Sequence, residues 1–154
     1  AICLHLCDTH PAAALAPKVG TAERAHFYKW LMWLTNTLQA TLITYFYPER
    51  WVNIGNDAGA EQVKAQAEIK VGVLLDQLDA ELARHALLHP EPWLLGANYS
   101  AVDIYALMLC RWTRNFTANP ARDKTHLRPY LQRMLGRPAV VEAFKAEEVA
   151  QPWV

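Results

Sequence analysis

The side chains able to do chemistry are few and scattered. Cys3, Cys7 and His10 stand at i, i+4 and i+7, so on a helix they share a face, and three nitrogen and sulfur ligands of that kind can hold a zinc ion. No second ligand group at metal spacing follows them. The plainer reading is a helix with two apolar-like thiols and a surface histidine. His85 and His89, four apart, are a second candidate pair. Pro90 separates them from the next helix and no carboxylate completes them, so they read as surface histidines. No nucleophile with its base appears, and no glycine-rich nucleotide loop.

The strongest local signal positions a helix rather than a reaction. It runs Trp93-Leu94-Leu95-Gly96-Ala97-Asn98-Tyr99-Ser100-Ala101-Val102-Asp103-Ile104-Tyr105 and continues to Trp112. Ser100 can accept the Asp103 N–H while the Asp103 carboxylate reaches back to the Ser100 N–H, which satisfies two donors that a helix start leaves unpaired. Gly96 and Asn98 supply the turn before it. Asp103 is the one charge between Ala101 and Cys110, so the helix is expected to have no wet face and to lie at the centre of its domain.

The rest of the chain supplies helices to surround it. Ala1 to about Asp8 reads as a helix with Ile2 and Leu6 as an apolar pair, and Thr9 to Lys18, with Pro11 and Pro17, reads as a linker. Thr21 can cap a long helix ending near Phe46, before Pro48, with Arg24, Tyr28, Leu31, Leu38 and Leu42 at helical spacing. Trp30, Trp33 and Thr37 form a second line on it, which implies burial against a partner or cleft. A homodimer through the two long helices is therefore expected. The second long helix spans about Ala60 to His85, with Val63, Ala67, Val71, Leu74, Leu78 and Leu82 inward. Leu127 to Met134 marks a short helix, Pro138 starts another with Val140, Val141 and Phe144 inward, and 147–154 reads as a tail.

Composition excludes several classes. With 154 residues and 53% hydrophobic content, one domain with a sizeable core is expected. Fifteen basic residues balance fifteen acidic ones without clustering, so neither nucleic acid nor a membrane surface is an expected partner. No apolar run approaches the roughly 20 residues of a membrane span. The N-terminus lacks the pattern of a signal peptide and three cysteines make no disulfide framework, so a cytoplasmic location is expected.

The capped, apolar WLLGANYSAVDIY stretch closely resembles the central helix of the glutathione transferase C-terminal domain. The YPER turn at residues 47–50 resembles bacterial members, and GRPAV at 136–140 resembles the start of the family's last common helix. The resemblance implies an all-α, glutathione transferase C-terminal-like helical bundle with a buried central helix over 19–150. It further implies that residues 1–10 are a remnant of the last thioredoxin-domain helix, 11–18 a linker and 151–154 a tail. In that family the thioredoxin-like half holds glutathione and contributes the group that interacts with its sulfur, while the helical half supplies most of the wall for a hydrophobic, electrophilic co-substrate.

No residue here is expected to be catalytic. Beta-class members resemble W-L-N-F-x-S-x-E-L-H-K along the first long helix; here Met32, Thr37, Gln39 and Ala40 depart from that pattern. Asn36 and Thr37 remain candidates for contacting glutathione through an amide and a hydroxyl, or else they face solvent or a partner. For the co-substrate wall the candidates are Tyr28, Met108, Arg111 and Trp112, with Arg111 available to an anionic group. Glutathione is thus expected as co-substrate of a longer parent and not as a tight ligand of this chain. The alternative is a non-catalytic interaction module, as similar domains form in elongation-factor gamma subunits and synthetase complexes.

Overall fold

Ser100 Oγ accepts the Val102 N–H at 3.3 Å and Asp103 Oδ2 accepts the Ser100 N–H at 2.8 Å, so helix α5 (Ala101–Trp112) starts in a capping box. These contacts come from a computed structural model that describes all 154 residues. Asp103 is fully buried, and its Oδ1 also accepts the Leu94 N–H and the Tyr130 hydroxyl, each at 3.0 Å. One side chain therefore ties the turn before α5, the start of α5 and a later helix together. Ala101, Val102, Ala106, Leu107, Leu109 and Cys110 are buried around it. The helix does have an open strip, however: Ile104 is 41% and Met108 39% exposed. Absence of charge marks these residues as apolar without showing that anything covers them.

The first long helix begins where Thr21 Oγ1 accepts the Arg24 N–H at 3.2 Å. It comprises α2 (Ala22–Trp33), a π-helical segment (Leu34–Gln39) and α3 (Ala40–Phe46). Phe27, Trp30, Leu31, Leu34, Leu38 and Leu42 are buried along it. Trp30 is only 4% exposed, so it belongs to this domain's own core and is not spare surface for a partner. The π segment carries the buried stripe past a change of register, which a regular 3.6-residue reading does not anticipate. Thr35 and Thr41 donate their hydroxyls to the Leu31 and Thr37 carbonyls one turn back, at 2.9 and 2.8 Å.

Helix α4 (Asp57–Ala86) packs against α3 as the second wall. It starts three residues before the sequence-based boundary, because Asn56 caps it by accepting the Gly59 N–H at 3.0 Å. Ala67, Val71, Leu74, Leu75, Leu78 and Leu82 face inward. Truncating one of these leucines to Ala would cost about 2–5 kcal/mol through lost transfer energy and a cavity.

Helix α1 (Ile2–Thr9) docks with the opposite face from the expected one. Ile2 and Leu6 are exposed and Cys7 is buried. Arg24 sets this orientation: its guanidinium pairs with Asp8 at 2.7 Å and donates to the Pro17 carbonyl at 3.0 Å. Helices α6 (Leu127–Leu135) and α7 (Pro138–Ala146) close the bundle, with Val140 buried and Val141 exposed. Residues 150–153 are not a loose tail. Arg111 donates to the carbonyls of Ala150, Pro152 and Trp153 at 2.9–3.1 Å, and the Trp153 ring meets Phe144 edge-on.

Candidate functional site

The open strip of α5 lies beside the first long helix. The Tyr105 hydroxyl donates to Gln39 Oε1, and seven residues later on both helices Trp112 meets the Phe46 ring at 5.9 Å. Equal steps on both helices mean that they run parallel and in contact along this line. Ile104, Met108 and Phe46 remain two-fifths exposed near it, so the pair leaves an apolar, partly aromatic strip of surface. Such a surface can hold a hydrophobic ligand and offers Gln39 and Tyr105 as its polar pair. It contains no nucleophile. The Cys110 thiol is fully buried in apolar surroundings that push it up to about 12, so it stays protonated.

The residues singled out in the sequence divide between places. Met108 and Trp112 belong to this strip. Tyr28 is 38% exposed three turns earlier, under the Arg24 guanidinium at 4.7 Å from its ring centroid. Arg111 gives its donors to the tail carbonyls, which leaves its fork engaged. Asn36 and Thr37 line a different hollow of about 560 Å³ between the first long helix and α4, with Ala40, Thr44, Trp51, Gln66 and Lys70. Gln39, Tyr105 and Phe46 were missed because they pair across 66 residues of sequence; the shared seven-residue step is the signal that could have found them.

The metal candidates also move. No three His, Cys, Asp or Glu side chains converge. Cys7 is buried with its thiol 3.8 Å from the Leu15 carbonyl oxygen, and Cys3 is exposed. His85 does have a carboxylate partner: Glu81, one turn earlier, lies 3.2 Å from its Nε2. Burial and the Arg84 charge hold the His85 imidazole below its ordinary value, with Glu81 opposing them. No helix is long and apolar enough to cross a membrane.

The buried capping box at the heart of an all-helical bundle defines a class, and comparison with known proteins gives its family. A family model described as "Glutathione S-transferase, C-terminal domain" matches residues 6–138. The chain belongs to that family. It is 30% identical over 112 residues to the GST-like protein YncG of Escherichia coli, which covers 73% of this chain and 49% of that protein. It is 25% identical over 147 residues to glutathione S-transferase GstA of Escherichia coli, covering 96% of this chain and 65% of that one. A sphingomonad glutathione S-transferase solved with glutathione superposes with a TM-score of 0.76 at 28% identity, over 97% of this chain and 66% of that one. The chain thus spans about half the length of YncG and about two thirds of the other two.

Proposed function

We propose that this chain is the hydrophobic-substrate-binding and dimerisation domain of a cytoplasmic glutathione transferase-like protein. The longer parent would carry out glutathione conjugation or thiol transfer. The observation that carries the reading is the exposed Ile104–Met108 strip on an otherwise buried helix, beside Phe46 and Trp112. Electrophilic substrates would lay an aromatic or aliphatic body there, and glutathione would be held mainly by residues outside this chain. Residues 1–10 would be the last helix of a thioredoxin-like half and 11–18 the connection from it.

The mechanism needs a group within about 3 Å of the glutathione sulfur to lower its pKa. The strip presents none, so its own work would be orientation and exclusion of water at the electrophile. Asn36 and Thr37 would serve a glutathione or partner contact in the hollow with Lys70. Self-association would use the outer face of α4, where Ile69 is 61% and Val73 54% exposed one turn apart.

Titrating the chain with 2,4-dinitrotoluene, an unreactive nitroarene, and following tryptophan emission tests the strip. Binding is expected with Kd on the order of 1 mM, as suits a ligand of its size. Met108→Arg should weaken it at least about tenfold, equivalent to about 1.4 kcal/mol. Equal binding by parent and variant would remove the strip as the substrate wall.

A further inference from the structure

At Phe46 and Trp112 the apolar strip reaches a hollow of about 340 Å³, enclosed by the end of α3, the start of α4 and the segment that follows α5. This volume falls at the lower end of the roughly 300–1,000 Å³ of small-molecule sites. Its walls are aromatic. The Tyr45 ring lies 4.3 Å from the Phe116 ring and 5.2 Å from Phe46, and Phe46 meets Trp112 at 5.9 Å. Such walls suit a flat ring. The rim carries charge: Lys64 of α4 and Arg114, two residues beyond α5, line the same hollow, with Glu61 as its one carboxylate.

Neither cation is committed to a carboxylate. Lys64 and Arg114 take part in none of the protein's ion pairs, although Glu61 stands one turn before Lys64. Lys64 Nζ lies 5.5 Å from the centre of the Tyr45 ring, and the Arg114 guanidinium makes one hydrogen bond, a 3.3 Å donation to the Arg111 carbonyl. Most of its donors therefore stay free. Both residues are half-buried, where charge is screened less than on open surface. Burial and then the Arg114 charge hold the Arg111 guanidinium below its ordinary value, which agrees with positive charge gathering at this end of α5.

We propose that this hollow selects aromatic substrates that carry an anionic group, such as a nitroaryl carboxylate, and that Arg114 and Lys64 set the preference. The inference rests on the strip being the substrate wall and names the class of electrophile that wall takes. The ring would lie against Phe46 and Trp112 with its carboxylate toward the two cations. Arg114 presents a planar fork to that carboxylate and Lys64 a point charge. Arg114 thus takes the part that the sequence suggests for Arg111, whose own fork is engaged by the tail carbonyls. Glu61 opposes the anion and limits the gain.

2,4-Dinitrobenzoate carries a carboxylate where 2,4-dinitrotoluene carries a methyl group, so comparing their binding to the whole chain at pH 7.5 by tryptophan emission isolates the charge. The benzoate is expected to bind about tenfold more tightly, with Kd on the order of 0.1 mM. Raising NaCl from about 0.05 to about 0.5 M should remove most of that preference. Arg114→Gln and Lys64→Gln should each weaken the benzoate at least about threefold and leave the toluene unchanged, whereas Glu61→Gln should strengthen the benzoate by a similar factor. Circular dichroism identifies any variant that does not fold; Lys64→Gln, within a helix, serves if Arg114→Gln fails. Benzoate binding no tighter than toluene binding, or benzoate binding that survives both Arg114→Gln and Lys64→Gln, overturns the proposal. Toluene binding that Met108→Arg weakens, beside a benzoate that binds no better, keeps the strip as the substrate wall and removes this inference alone. Arg114-dependent benzoate binding without any toluene binding upholds the anion site and removes the strip reading.

Discussion

Asp79 of α4 accepts the backbone N–H of Leu127 at 2.8 Å, so one helix caps the start of another 48 residues away. The same Oδ1 accepts the His126 N–H at 2.7 Å, and Oδ2 lies 3.2 Å from His126 Nδ1. Helix α6 has no side-chain cap of its own from the residue before it. Asp79→Ala should therefore cost about 1–2 kcal/mol in urea unfolding, the range of a lost N-cap. Asp79→Asn should retain part of this, because its amide oxygen can still accept. Parent-like stability in both variants would show that α6 starts without Asp79.

The capping box of α5 predicts an order of effects. Ser100→Ala should cost about 0.5–2 kcal/mol. Asp103→Ala should cost more, since it leaves the Leu94 and Ser100 N–H groups unpaired in a buried place, at about 1–3 kcal/mol for each, and leaves the Tyr130 hydroxyl only its longer bond to the residue 103 carbonyl. Equal urea midpoints and slopes for the two variants would contradict the place of Asp103 at the centre of the fold.

Acid should weaken the fold partly through His85. Burial and Arg84 depress its folded-state pKa against the pull of Glu81. Stability from the neutral imidazole is then fully present above the unfolded value near 6.5 and is lost as pH falls through the depressed folded value. Asp103 acts in the opposite sense: burial raises its carboxyl despite the hydrogen bonds from Leu94, Ser100 and Tyr130, so its contribution is present at low pH and lost as pH rises through the raised value. Comparing the parent with His85→Gln isolates the first effect. Between pH 7.5 and 5.5 the parent should lose more stability than the variant. Parallel pH profiles would contradict it.

The outer face of α4 predicts the oligomeric state. At high micromolar concentration the parent should sediment as a dimer, and an Ile69→Glu/Val73→Glu double variant as a monomer, because two charges would stand where two exposed aliphatic side chains would be buried in the proposed pair. A monomeric parent, or a dimeric double variant, would exclude this face.

What the sequence disclosed follows the range of the physics involved. The α5 start was legible because its box is made by residues three apart, and the helices were legible because their stripes repeat within one turn. The partner of Trp30 was not: a line of tryptophans shows that burial is needed without showing whether the chain itself provides it. Asn56 escaped notice among loop residues although it caps α4, and Glu81 escaped as a surface acid although it reaches His85. The apolar strip was only half legible. Met108 and Trp112 stood out as apolar residues on α5, but Gln39 and Phe46 enter through the contact of two parallel helices, which no local pattern encodes.

The central claim is that this chain offers a surface for the electrophile and neither activates glutathione nor binds it tightly on its own. Isothermal titration of the 154-residue chain with reduced glutathione tests it most directly. The account predicts no saturable heat up to about 1 mM, where an affinity weaker than about 4 kcal/mol of binding escapes detection. Micromolar affinity for glutathione in the isolated chain would contradict it and would place a complete thiol site within these helices.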